Sequence, residues 1–323
     1  MLDPFGYKLP LPYHAVLHPL GFVARLRTNS RGVLRAAEES WAGYKPAFAS
    51  PPIELNVVVE GDVPALPPPP RFQAHGSLMT VVSDDVHFAA ASLDDGVTFC
   101  RLSERAAADR AWTRYHFLDA IVYTILTHQR LTAVHAACVA RGGAALLLFG
   151  AAGAGKTTLS YACLRAGWTF LSDDATYLLH DATGNQVIGK PHQLRFLPDA
   201  GRLFPELGDR PITIDSLGQP RIEIVPERGT AERATVSSLL FLERAAGAGP
   251  AFRPIAKEDA YRRILDGMPL YAPKVVERHQ ASVRRLAELE CLEFRYDSLD
   301  AAVAALNAKE IGTNTEYAAT IPV

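Results

Sequence analysis

Eight consecutive residues, Gly150-Ala151-Ala152-Gly153-Ala154-Gly155-Lys156-Thr157, constrain this chain more than anything else in its 323 residues. They satisfy the pattern G-x-x-x-x-G-K-[ST] in the context that gives it meaning. Ala144 to Phe149 before it is an unbroken apolar run suited to a buried strand, and Thr157 to Ala166 after it reads as a helix. Gly167 suits the left-handed position that ends such a helix. The residue types fit the binding of a triphosphate. Gly150, Gly153 and Gly155 permit backbone angles that turn successive N–H groups inward as an anion nest, with Ala154 keeping the approach unobstructed. The helix N-terminus adds its partial positive charge. Lys156 supplies a mobile cation for the β- and γ-phosphates, the Thr157 hydroxyl a ligand for Mg²⁺, and Thr158 completes the first helical turn.

The strand expected at Trp168 to Leu171 leads into Ser172-Asp173-Asp174, two carboxylates at a strand end close in sequence to the loop. One can hold Mg²⁺ and the other can accept the proton of an attacking hydroxyl. The plainer alternative is an Asp pair that merely opens a turn. Upstream, Ala133 to Ala140 reads as a single apolar strand containing His135, and a histidine there also serves well as a hydrogen-bonded core residue. Arg195 and Arg244 are further candidates for clamping a transferred phosphoryl group, because a guanidinium binds phosphate bidentately.

Three blocks, Val134-His135-Ala136, the Gly150 to Thr158 loop, and Arg165-Ala166-Gly167-Trp168 running into Leu171-Ser172-Asp173-Asp174, resemble the catalytic domain of the bacterial HPr kinase family and its HPr-kinase-related members. That family in turn resembles phosphoenolpyruvate carboxykinases. The resemblance spans about residues 130 to 310, with specific motifs between 134 and 174. It implies an α/β fold, a P-loop nucleotide-binding core of the HPr kinase/phosphoenolpyruvate carboxykinase type with an N-terminal α+β accessory domain. It also implies Mg²⁺-dependent transfer of the γ-phosphoryl group of ATP to a hydroxyl, in the first instance a Ser of a protein or peptide. By the same resemblance Asp173 is the base, Asp174 the metal ligand, and His135 joins Lys156 and Asp173 in the active site. Self-assembly of the catalytic domains into a homo-oligomer is a family property. Ala151, Thr157 and Thr158 stand where HPr kinases usually carry an acidic residue and a Ser-Glu pair, and this sets the chain apart from HPr kinase itself. A small-metabolite kinase and a nucleotide-binding regulatory NTPase use the same loop, so both readings stay open.

With 33 Lys+Arg against 35 Asp+Glu, the net charge of −2 offers no global field for nucleic acid or an anionic membrane surface. No apolar run reaches the roughly 20 residues that span a bilayer. Pro4, Pro10, Pro12, His14 and His18 at the start do not make a secretory signal, so a cytoplasmic protein is expected. Cys100, Cys138, Cys163 and Cys291 lack metal-ligand spacing and lie in apolar stretches, as buried free thiols do.

The organisation expected is an accessory domain over 1–130, a catalytic domain over 131–310 and a flexible tail over 311–323. In the first, Ser30 can cap a helix anchored by Trp41. Pro64 and Pro67 to Pro70 mark an exposed connection, and Ile53 to Glu60, Ser77 to Val82, Val86 to Ala91 and Val97 to Leu102 suggest a small, largely antiparallel sheet. One long helix is expected over Ala106 to His128, its apolar face running from Trp112 to Leu126. In the second, Ala175 to His180 and Gln186 to Ile188 flank a turn at Asp181 to Asn185. Strands are expected at Val236 to Leu242 and Glu290 to Tyr296, helices at Lys257 to Met268 and Lys274 to Leu289, and a last helix capped by Ser298.

Overall fold

The computed structural model describes residues 9–180, 184–215, 218–269 and 271–309. The expected tail and the centre of the turn after His180 lie outside the described residues. The described residues are mixed α/β with three sheets, and the chain divides into two compact units, Met1–Gln129 with Ile214–Gln219, and Arg130–Thr213 with Pro220–Val323.

The first unit holds β1 (Tyr13–Leu17), β2 (Phe22–Thr28), α1 (Arg31–Trp41), β3 (Phe48–Val59), β4 (Arg71–His75), β5 (Leu78–Val82), β6 (Phe88–Ser92) and β7 (Val97–Leu102). Its helical end comprises α2 (Glu104–Ala108), α3 (Arg110–Thr113), a π-helical segment Arg114–Asp119 and α4 (Ala120–Gln129). The sheet is larger than the sequence suggested: seven strands in the order β1-β2-β3-β7-β6-β5-β4, with β3 parallel to both β2 and β7. Nor is the helix continuous. Asp109 leaves the helical region at φ −84° and ψ 91°, and its carboxylate accepts the Trp112 N–H at 2.9 Å, so the segment caps and restarts where one long helix was expected. Ser30 caps α1 by accepting the Val33 N–H, and Trp41 is fully buried with its indole N–H donating to Asp119 at 2.9 Å.

The second unit holds β8 (Leu131–Val134), β9 (Ala137–Arg141), β10 (Ala144–Phe149), α5 (Lys156–Arg165), β11 (Thr169–Ser172), β12 (Thr176–Leu179), β13 (Gln186–Ile188), β14 (Leu194–Phe196), all but the last residue of β15 (Ile212–Ile214), β16 (Pro220–Ile224), β17 (Arg233–Arg244), β18 (Ala251–Pro254), α6 (Lys257–Asp266), α7 (Pro273–Ala287), β19 (Glu290–Tyr296) and α8 (Leu299–Ala308). Its main sheet runs β11-β9-β10-β17-β13-β12-β8, and β19 joins β17 with β18 beyond it. A small sheet, β14-β16-β15, stands apart.

β10 is buried along its whole length because both of its faces are covered. Alternate side chains divide between two cores. Leu146 and Leu148 pack with Leu159 and Cys163 of α5, Phe294 of β19 and Leu306 of α8. Ala145, Leu147 and Phe149 pack with Ala260 and Ile264 of α6 and Val283 and Leu286 of α7. Each of these leucines contributes about 1.5–3 kcal/mol by leaving water, so the strand that delivers the loop is firmly anchored. β17 lies parallel to β10 and β19 parallel to β17, which brings the ends of all three strands to one edge of the sheet.

One sequence expectation changes here and another holds. Ala133 to Ala140 is not one strand: it breaks at His135-Ala136, β8 pairs with β12, and β9 pairs with β10 and β11. The helix after the loop ends as its glycine foretold. Gly167, at φ +87°, donates to Leu164 and Trp168 to Cys163, both at 3.0 Å, which satisfies the last carbonyls of α5. All four cysteines are free and buried, and burial raises their thiol pKa values, to about 12 for Cys163. No helix among the described residues is long and apolar enough to cross a membrane.

Candidate functional site

Two glycines of the loop between β10 and α5 have no room for a side chain. A Cβ on Gly150 would meet the Ala154 Cβ at 2.7 Å. Gly153 and Gly155 take φ +82° and +93°, and a Cβ on Gly155 would come within 2.7 Å of the Tyr296 hydroxyl. That hydroxyl donates to the Ala154 carbonyl at 3.2 Å, tying the loop to the end of β19. Burial pushes the Tyr296 phenol up to about 12, so it stays a donor.

Lys156 opens α5 and is only 8% exposed. Its ammonium donates to the Gly150 carbonyl at 2.7 Å and reaches the Ala151 carbonyl at 3.5 Å. Burial lowers its pKa, and the Asp174 carboxylate opposes that shift. Thr157 and Thr158 follow in the first helical turn, both half-buried.

The two aspartates occupy different environments. Asp173 is 7% exposed, and one carboxylate oxygen accepts the Arg195 backbone N–H at 2.9 Å. Burial pushes its pKa up to about 6, partly offset by that hydrogen bond, by the Arg195 charge and by Lys190. Asp174 is exposed and its pKa is lowered, first by its hydrogen bond with His135. The His135 Nδ1 lies 3.2 Å from the Asp174 carboxylate and 3.1 Å from its carbonyl oxygen, and the Arg195 guanidinium lies 3.9 Å from the same carboxylate.

His135 is therefore not a core residue. It is exposed at the break between β8 and β9, and the break itself is held by buried hydroxyls. Thr176 donates to the Ala136 carbonyl at 2.8 Å and shares a 2.6 Å hydrogen bond with Ser172, the residue before the aspartates. Arg195 joins the cluster from β14, while Arg244, at the end of β17, donates to the Asp297 carbonyl at 3.3 Å.

Lys156, Asp173, Asp174, His135 and Arg195 thus form one electrostatically connected group beside the loop. Tyr296, Lys190 and the Arg195 backbone were not legible as site groups. Tyr296 sits at the end of an apolar strand and reads like any core aromatic. Among the described residues no cluster of three or more His, Cys, Asp or Glu is placed to hold a metal ion.

A family model described as "SynChlorMet cassette protein ScmC" matches residues 98–193, a stretch that includes His135, the glycine-rich loop and both aspartates. No curated protein matches the chain. Among solved structures, the Hpr(Ser) kinase/phosphatase from Coxiella burnetii aligns with 55% of this chain and 92% of its own at 15% identity, with a TM-score of 0.29. At that score the likeness bears no weight on fold or activity.

Proposed function

We propose that this chain is a phosphotransferase that binds ATP with Mg²⁺ and passes the γ-phosphoryl group to a hydroxyl, with the phosphate-loop core of an HPr-kinase-like enzyme in residues 131–310. The observation that carries this reading is the loop lysine, Lys156, in the field of Asp174, with the buried carboxylate of Asp173 beside it. A loop alone would serve any nucleotide-binding protein. The paired carboxylates add what a transferase needs.

Backbone N–H groups from Gly150 to Thr158 would cradle the phosphate oxygens, and the Lys156 ammonium would move from the Gly150 carbonyl to the β- and γ-phosphates. Thr157 and Asp174 would hold Mg²⁺, which when bound neutralises phosphate charge. His135 donates to Asp174 and so fixes the orientation of that carboxylate. Asp173 would accept the proton of the acceptor hydroxyl at a carboxylate oxygen. A pKa of about 6 keeps it mostly ionised at neutral pH while leaving it more basic than an ordinary aspartate. The Arg195 guanidinium, 3.9 Å from the Asp174 carboxylate, would steady the charge that develops on the transferred group. The acceptor class that best fits is a Ser hydroxyl of a protein or peptide, recognised by residues 1–130.

Incubation with γ-labelled ATP and a size-fractionated cell extract tests this. Label in a macromolecule is the expected result. Label in a small metabolite would move the acceptor class, and release of free phosphate alone would refute transfer.

A further inference from the structure

The seven-stranded sheet of the first unit buries one face of β5, β6 and β7 and leaves the other open. Alternate residues of a strand point to opposite faces. On one face Met79, Val81, Ala89, Ala91, Cys100 and Leu102 are buried. On the other, Leu78, Val82 and Val97 are 51%, 45% and 47% exposed, and Phe88, Ala90 and Phe99 are half-buried.

The register joins these six into one patch. Leu78, Ser92 and Val97 lie in one row across the three strands, Thr80, Ala90 and Phe99 in the next, and Val82, Phe88 and Arg101 in the third. At about 4.8 Å between strands and about 3.3 Å per residue, the rows cover about 10 by 13 Å. Six of the nine positions are apolar, where a solvated face of an antiparallel sheet is ordinarily polar. An apolar patch with a charged rim is the mark of an interaction site.

The rim here is basic. Glu54 holds Arg25 at 3.1 Å and Glu60 holds Arg101 at 3.3 Å, whereas Arg27 and Arg71 are exposed and make no ion pair among the described residues. Arg71 stands beside Val82 on β4, and Arg27 lies on β2 beyond the other side of the patch. Five strand spacings separate β4 from β2, about 24 Å. A partner that complements this face has an apolar centre and carboxylates at both ends, a reach of about seven extended or sixteen helical residues. Single-stranded nucleic acid fits less well. The exposed centre is aliphatic, and Phe88 and Phe99 pack against each other, with ring centroids 6.3 Å apart and planes tilted by 46°, rather than standing free as stacking platforms. A second copy of the chain would bring the same surplus of arginine to the contact.

We propose that the open face of this sheet docks a polypeptide segment with an apolar centre and acidic ends. It is the surface by which residues 1–130 would recognise the acceptor protein of the reading above, but docking does not depend on phosphoryl transfer and its test reads binding alone.

A display library of random peptides is selected on the full chain. A fluorescent synthetic copy of the most enriched peptide is then titrated by anisotropy against wild type and two double variants, Leu78→Thr with Val97→Thr and Arg27→Glu with Arg71→Glu. All four positions are exposed, so the fold should survive, and thermal unfolding checks that it does. Enriched peptides should carry Leu, Ile or Phe between Asp or Glu, and each double variant should raise Kd roughly tenfold. Binding to wild type should also weaken at high salt, a readout that needs no variant. Failure of any peptide to enrich, enrichment of neutral or basic peptides, wild-type affinity in both folded variants, or binding indifferent to salt would overturn the proposal. So would a labelled oligo-dT or oligo-U that binds wild type and is lost in both variants, which assigns the face to nucleic acid. A wild-type dimer in sedimentation that Leu78→Thr with Val97→Thr dissociates would overturn it too, by assigning the face to a second copy.

Discussion

Asp173→Asn should stabilise this protein at neutral pH while abolishing phosphoryl transfer. In the folded chain Asp173 is almost inaccessible to water and burial lifts its pKa from an ordinary 3.8 to about 6. The folded state therefore holds this proton more tightly than the unfolded chain does. Below pH 3.8 both states are protonated and the carboxyl costs nothing. Between 3.8 and 6 the unfolded chain ionises first, and stability falls as pH rises. Above 6 the folded protein carries a buried anion at full cost. The gap between the two pKa values corresponds to about 3 kcal/mol, at 1.36 kcal/mol for each pH unit. Asparagine keeps an oxygen to accept the Arg195 N–H and removes the charge, so it recovers most of that amount. Urea unfolding of the two proteins at pH 5 and pH 8 measures it: the variant should gain about 1–3 kcal/mol at pH 8 and clearly less at pH 5. A variant that is less stable at pH 8, or a difference that does not change with pH, would refute the claim that the folded chain carries Asp173 as a costly buried anion.

Further outcomes follow from the same geometry. Transfer should rise with pH through about 6 and level off above it, because the base works only when ionised; a pH–rate profile of kcat/KM reads this directly. Lys156→Ala removes a charge-assisted phosphate contact and should weaken Mg-ATP by roughly tenfold to a hundredfold with the fold intact, measured by calorimetry and circular dichroism. Asp174→Asn should chiefly raise the Mg²⁺ concentration needed for activity, in contrast to the inactive Asp173→Asn, and interchanged behaviour would interchange the two roles. Gly155→Ala combines a left-handed φ with a Cβ 2.7 Å from the Tyr296 hydroxyl, at a cost of about 1–2 kcal/mol from the backbone alone. Adding Tyr296→Phe should cost less in this background than in wild type, and strict additivity in thermal unfolding would show that the hydroxyl does not press on the loop.

What the sequence made legible is local. β10, its loop and α5 announce themselves because an apolar run, glycines and a helix with a glycine stop lie end to end, and each obeys its own short-range rule. Ser298 as the cap of α8 is another such case, its hydroxyl accepting the Ala301 N–H at 3.2 Å. The strands of the first unit fared less well. Phe22 to Thr28 buries Ala24, Leu26 and Thr28 while Arg25 and Arg27 face outward, and two arginines in seven residues mask the alternation. The largely antiparallel reading fits four of the six strand pairs, and the two parallel ones, β3 with β2 and with β7, leave no mark because no pattern within one strand says which way its neighbour runs.

The site depends on the part that was not legible. Ala133 to Ala140 carries the same apolar character on both sides of His135, so nothing in its composition marks a break. The break comes from distant partners. β8 is drawn to β12 at one end of the sheet and β9 to the β10–β11 side, and the chain must leave the sheet between them. Because Thr176 of β12 donates to the Ala136 carbonyl and meets the Ser172 hydroxyl, the same crossing brings the residue before the aspartates to the break. A continuous strand would have hidden His135 in the sheet or turned it to one of its packed faces. Interrupted, it stands in solvent with Nδ1 on Asp174. The chemistry of this site is thus encoded twice, in a motif that any reader can find and in a pairing of strands some forty residues apart that leaves no trace in the motif.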